Sequence, residues 1–159
     1  MSRDLPLHRV PMVMSVLLAL FLSVVPLPHW VAVARPDFLV IVVLYWSIMS
    51  PRAGGLLLAF LAGLALDAFK GVVLGQHALA LTLVTAIAIK LHLRIRVFPI
   101  LHHALTIFML LVIYQFVLYW IDGASGHPVT TAWRWLPAVT GAALWPMFAG
   151  LLGFAYQRT

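Results

Sequence analysis

Six apolar runs divide this chain, each bounded by residues that break helices or carry charge. They fall at about 10–25, 36–49, 53–69, 76–93, 99–121 and 135–156. A helix rises 1.5 Å per residue, so about 20 residues cross the ~30 Å hydrocarbon core of a bilayer. The runs approach or exceed that length and predict an all-α, polytopic membrane bundle of about six transmembrane helices. The second run rises only about 21 Å. It must thin the bilayer, extend into its flanks or be shielded by neighbouring helices, and a compact bundle supplies the shielding.

The breakers between the runs have readable chemistry. Pro36 suits the first turn of a helix, where its missing N–H costs nothing. Ser50-Pro51-Arg52 makes a tight connection, so the second and third spans are expected to form a helical hairpin. Gly71 and Gly75 end the third span, Pro99 opens the fifth, and Asp122 to Pro128 is the largest polar loop. Pro146 interrupts the last span. It removes one backbone bond and crowds the carbonyl of Ala142, which predicts a kink near Gly141 that shapes a groove.

Composition reinforces the pattern. The chain is 64% hydrophobic and 9% charged, with a mean hydropathy of +1.08, far from the roughly one-quarter charged residues of soluble domains. Residues 1–159 therefore read as a single integral membrane domain with almost no soluble mass. The formal net charge of +6 does not point to nucleic acid, because the basic residues lie singly between apolar runs instead of gathering on a solvated face. Membrane topology accounts for them, since Lys and Arg collect in cytoplasmic loops. With six spans and the amino terminus inside, Arg3, Arg9, Arg52, Lys90, Arg94, Arg96 and Arg158 are cytoplasmic, whereas Arg35, Lys70 and Arg134 are outside. Both termini then face the cytoplasm. Trp30, Tyr119, Trp120, Trp133 and Trp135 fall at the outer boundaries, as an aromatic belt at the headgroup zone requires.

The amino-terminal run, preceded by Arg3 and Arg9 and followed by Ala32-Val33-Ala34, has the outline of a cleavable signal. It ends in Pro26-Leu27-Pro28-His29-Trp30, well before the alanines, and is read as an uncleaved first span. There is no cysteine, so disulfides, thiolate catalysis and Cys-ligated metals are excluded.

The residues that could carry chemistry are few. Gly55, Ala59, Gly63, Asp67, Gly71 and Gly75 recur at every fourth position. The spacing lets another helix backbone approach closely, within the chain or from a partner, and the last glycines permit a sharp exit after Lys70. Asp67 sits in a spanning run, where a carboxylate must face protein or water. Lys70 is three residues on, so a local pair and a contact to another helix are both open. An aspartyl dyad needs a second carboxylate at that depth, and Asp4, Asp37 and Asp122 lie at or beyond the boundaries. Gly123-Ala124-Ser125-Gly126 with His127 matches the string of rhomboid serine proteases, but it lies in a polar loop, its histidine is two residues away, and a turn is the simpler reading. His102 and His103 point about 100° apart on a helix and lack the i,i+4 spacing of a zinc pair. No catalytic, cofactor or metal set survives, and the chain is read as a non-enzyme without cofactors.

With these pieces in place, the sequence resembles the MreD family of rod shape-determining membrane proteins across nearly its whole length. The matching features are Arg35-Pro36-Asp37 before the second span, Tyr45-Trp46 near its end, the row Gly63, Asp67, Gly71 and Gly75, and Leu144-Trp145-Pro146 in the last span. The resemblance implies a six-helix inner-membrane component of the bacterial cell-elongation machinery. It implies binding to MreC, a single-span periplasmic scaffold, within a complex that includes the MreB filament, the RodA glycosyltransferase and its penicillin-binding transpeptidase. Gly63, Asp67, Gly71, Gly75, Arg35, Pro36 and Pro146 carry over as motif positions for helix packing or partner contact. The family is also distantly similar to the S components of energy-coupling-factor vitamin transporters. A substrate-binding S component is therefore the alternative, and Asp67, Lys70, Gln76, His77 and Gln115 are the polar groups that would serve it.

Overall fold

A computed structural model describes residues 9–53, 55–126 and 132–157. Its helices are α1 (Arg9–Val24), the single turn α2 (His29–Ala32), α3 (Phe38–Met49), α4 (Leu56–Lys70), α5 (Gln76–Val97), α6 (Ile100–Ala124) and α7 (Leu136–Gln157), the last entered through a 3₁₀ turn at Ala132–Trp135. The six longer helices fall on the six apolar runs. No strand occurs among the described residues. The stretches Gln76–Val97, Ile100–Ala124 and Ala132–Gln157 are each long and apolar enough to cross a bilayer, whereas α1 and α3 are apolar but shorter.

α3 is the central helix. Every residue from Leu39 to Ile48 is buried, and α1, α5 and α7 pack around it. Twelve residues rise only about 18 Å, so the helix is too short to stand alone in lipid and is covered by its neighbours. The same arrangement buries two large aromatic side chains. Trp46 donates its Nε1–H to Ser15 Oγ at 2.9 Å, tying α3 to α1, and Tyr45 meets the Trp46 ring edge-on at 5.6 Å between centroids. The outer faces carry exposed apolar side chains such as Leu57, Leu101 and Leu151.

Two local expectations change. Helix α3 begins at Phe38 with Asp37 as its N-cap, so Pro36 lies just before the helix instead of in its first turn. The Ser50-Pro51-Arg52 connection is a turn closed by the Ala53 N–H on the Ser50 carbonyl at 3.0 Å. Beyond that turn, however, α3 and α4 part, and α4 packs chiefly on α5. The close hairpin is α4–α5, because α4 presents its small residues to α5. Pro146 lies inside α7, which continues through it. Gly141 sits over α3 and α6, where an added Cβ would lie 2.8 Å from Leu111 Cδ1 and 3.4 Å from Ile41 Cδ1.

The chain alternates direction from helix to helix. The end of α1, the start of α3, the end of α4, the start of α5, the end of α6 and the start of α7 therefore meet at one end of the bundle, where hydrogen bonds link them.

Candidate functional site

Most of the polar chemistry of the described residues lies at that end, and its centre is Asp67. The side chain is fully buried. Its Oδ1 accepts the backbone N–H of His77 at 2.9 Å and lies 2.7 Å from His77 Nδ1. Its Oδ2 accepts the N–H of Gly75 at 2.9 Å and of Ala78 at 3.3 Å. The first N–H groups of a helix have no partner within it, and an N-cap side chain usually supplies one. Here the N-cap of α5 is Gly75, at φ 97°, which has no side chain to offer. Asp67 reaches across from the preceding helix and performs the capping, with its negative charge at the positive end of the α5 dipole.

The backbone of the same residue ends α4. The Asp67 carbonyl accepts the N–H of Gly71, which adopts the left-handed conformation at φ 63°, and that of Val72 at 3.4 Å. One residue thus closes one helix with its carbonyl and opens the next with its carboxylate. Gly63 completes the hairpin from below. A Cβ there would stand 2.5 Å from Ala78 Cα, so only glycine lets the two backbones cross so closely. The fourfold row is not one continuous helix face, since Gly71 and Gly75 belong to the turn. It is a row of separate jobs in one hairpin.

Lys70 does not form the local pair with Asp67. Among the described residues the side chain bonded to Asp67 is that of His77, because the carboxylate is turned toward the α5 amides, while Lys70 is exposed. The Arg35-Pro36-Asp37 segment enters the same end of the bundle. Arg35 Nη1 donates to the Val25 carbonyl at 2.8 Å, pinning the connector between α1 and α3. Burial lowers the pKa of its guanidinium from the ordinary value, and the nearby Asp37 opposes that shift. Asp37 accepts from Gln115 Nε2 at 2.6 Å. Asp122 accepts from Gln76 Nε2 at 2.6 Å and from Arg134 Nη2 at 2.5 Å, which joins the ends of α5, α6 and α7. Pro146 stands apart from this network, inside α7.

Sequence reasoning did not assign a partner to His77, Gln115 or Asp122. The signal available was polarity inside or beside an apolar run, which marks such residues without pairing them. The rhomboid-like string ends α6, with Ser125 as its C-cap and Gly126 at φ 76°; His127 lies outside the described residues. His92 Nδ1 bonds to the Ile89 carbonyl and His103 Nε2 to the Ile95 carbonyl. No group of three His, Asp or Glu among the described residues could hold a metal ion. Among the described residues the arrangement ties the helix ends into one hydrogen-bonded network.

Comparison with known proteins identifies the family. The profile of the family described as rod shape-determining protein MreD matches residues 7–155. The rod shape-determining protein MreD of Haemophilus influenzae is 29% identical over 130 residues, covering 81% of this chain and 80% of that protein. No solved structure matches. A match over almost the full length, on a chain with three helices among the described residues long and apolar enough to span a bilayer, places it: the chain belongs to the MreD family of rod shape-determining membrane proteins.

Proposed function

We propose that this chain is a non-catalytic scaffold of the bacterial cell-elongation complex, binding MreC and coupling the MreB filament to lateral peptidoglycan synthesis by RodA and its penicillin-binding transpeptidase. It is proposed to do so as a multi-pass protein of the inner membrane, with both termini cytoplasmic. The observation that carries this reading is the use of Asp67. Asp67, the most buried acid among the described residues, is fully occupied in joining α4 to α5, which supports a structural use of the residue.

What such a protein offers a partner is the shape of its helix faces. Within lipid, helices associate through close packing and interhelical hydrogen bonds, without a hydrophobic driving force. A rigid α4–α5 hairpin, with Leu57, Phe69 and Leu79 exposed on its outside, provides a surface against which a single spanning helix such as that of MreC could pack. Asp67 and Gly71 then act on partner binding indirectly, through the hairpin.

Co-purification from native membranes in mild detergent tests this. Asp67→Leu and Gly71→Leu should each weaken recovery of MreC, and depletion of the protein should turn rods into spheres. Unchanged recovery with both variants would remove the hairpin from the interface. Normal rod growth without the protein would remove the function.

A further inference from the structure

A cavity of about 260 Å³ opens between the end of α1, the connector before α3, the end of α4 and the start of α7, with Arg35, Asp37, Lys70 and Ser23 on its wall above Leu39 and Leu66. We infer that this cavity binds a phosphate group, held by Arg35 and Lys70.

Charge is the first argument. The wall carries two cations and one carboxylate. The other acids at this end are engaged elsewhere, Asp67 by α5 and Asp122 by Arg134 and Gln76, so the cavity keeps a net positive charge. Asp37, the carboxylate on the wall, is held by Gln115. Lys70 forms no ion pair among the described residues.

Hydrogen bonding is the second. Arg35 spends Nη1 on the Val25 carbonyl, while its Nη2 is buried and lacks a partner. A buried donor left unsatisfied is costly, and an oxygen ligand would remove that cost. A guanidinium N–H and an ammonium on the same cavity wall are a pairing suited to phosphate oxygens.

Size and depth narrow the source. The cavity falls below the ~300 Å³ at which drug-sized pockets begin, so it suits a headgroup better than a vitamin-sized ligand. Trp30, Trp120 and Trp133 stand exposed around this end of the bundle, the arrangement of aromatic residues at headgroup level. Two cations against one carboxylate balance the single charge of a lipid phosphodiester more closely than the double charge of free phosphate. The same chemistry would accept a soluble phosphate ester.

Native mass spectrometry of the full-length protein in mild detergent separates these cases, with phosphatidylglycerol as probe and diacylglycerol as its phosphate-free counterpart. The wild type should retain phosphatidylglycerol at least fivefold over diacylglycerol, and Arg35→Gln or Lys70→Gln should abolish that preference. Lys70 is exposed and unpaired, so Lys70→Gln should keep the wild-type melting temperature and remain decisive if Arg35→Gln misfolds. Binding of inorganic phosphate with the same dependence on both residues, and no preference for phosphatidylglycerol, would assign the phosphate site to a soluble ester. A preference that survives in Lys70→Gln, or no binding of either probe, would overturn the inference.

Discussion

Gly63, Gly71 and Gly150 are three glycines in different surroundings, and substitution by alanine should separate them. At Gly63 a methyl group would meet the Ala78 backbone at 2.5 Å. Backbone cannot swing aside as a side chain can, so α4 and α5 must separate, at a cost of about 1–3 kcal/mol. At Gly71 nothing obstructs a Cβ, but φ is +63°, and left-handed backbone costs an L-residue roughly 1–2 kcal/mol. Gly150 has open space around it and sits inside α7, where alanine is favoured by about 1 kcal/mol. Unfolding in detergent, followed by circular dichroism, should therefore rank Gly150→Ala above the wild type, with Gly71→Ala and Gly63→Ala below it. Equal stability of Gly63→Ala and the wild type would mean that the helices are not in that close contact. The row itself was legible in the sequence as small residues at a period of four. What each position does was not, because the division between helix and turn decides it. The pairing of Asp67 with His77 depends on how tightly residues 71–75 turn, which no pattern of hydrophobicity specifies.

At the scale of elements, burial separates helices that look alike in sequence. α3 and α4 are both short, apolar and joined by a tight turn, and the sequence supports pairing them. In the folded bundle α3 is covered on all sides, whereas α4 turns its small residues to α5 and its large ones outward. Leu44 on α3 has no exposed surface and Leu57 on α4 is 71% exposed. Leu44→Ala should leave a cavity that costs about 2–5 kcal/mol, while Leu57→Ala should change stability by less than about 0.5 kcal/mol. The same detergent unfolding measurement checks both, and similar losses from the two would contradict the central position of α3. Six helices were legible because long apolar runs bounded by proline, glycine and charge leave little alternative. Their neighbours were not, since in a chain that is apolar almost throughout, the hydrophobic pattern cannot tell a face that meets lipid from one that meets protein. The Asp37–Gln115 and Asp122–Gln76 bonds, spanning 78 and 46 residues, are consequences of that packing.

For the whole molecule, the two ends of the bundle differ in a way that predicts its orientation. Arg9, Arg52, Lys90, Arg94 and Arg96 lie toward the end where α1, α4 and α6 begin, with no carboxylate among the described residues there. Arg35, Lys70 and Arg134 lie toward the other end, together with Asp37, Asp67 and Asp122. Orientation follows the number of Lys and Arg in the flanking segments, which stay on the cytoplasmic side, and five against three favours the first end. The contrast is sharper than the numbers, because Arg134 is paired with Asp122 and Arg35 is bonded to the Val25 carbonyl. Those two are fastened within the fold, whereas none of the five at the first end takes part in an ion pair among the described residues. A fluorescent reporter that folds only in the cytoplasm should therefore shine when fused to either terminus. A reporter active only beyond the membrane should work when inserted between α6 and α7. Opposite locations for the two termini would rule out an even number of crossings, and one of the short helices, α1, α3 or α4, would then have to lie within the bundle or at its surface without passing through the bilayer.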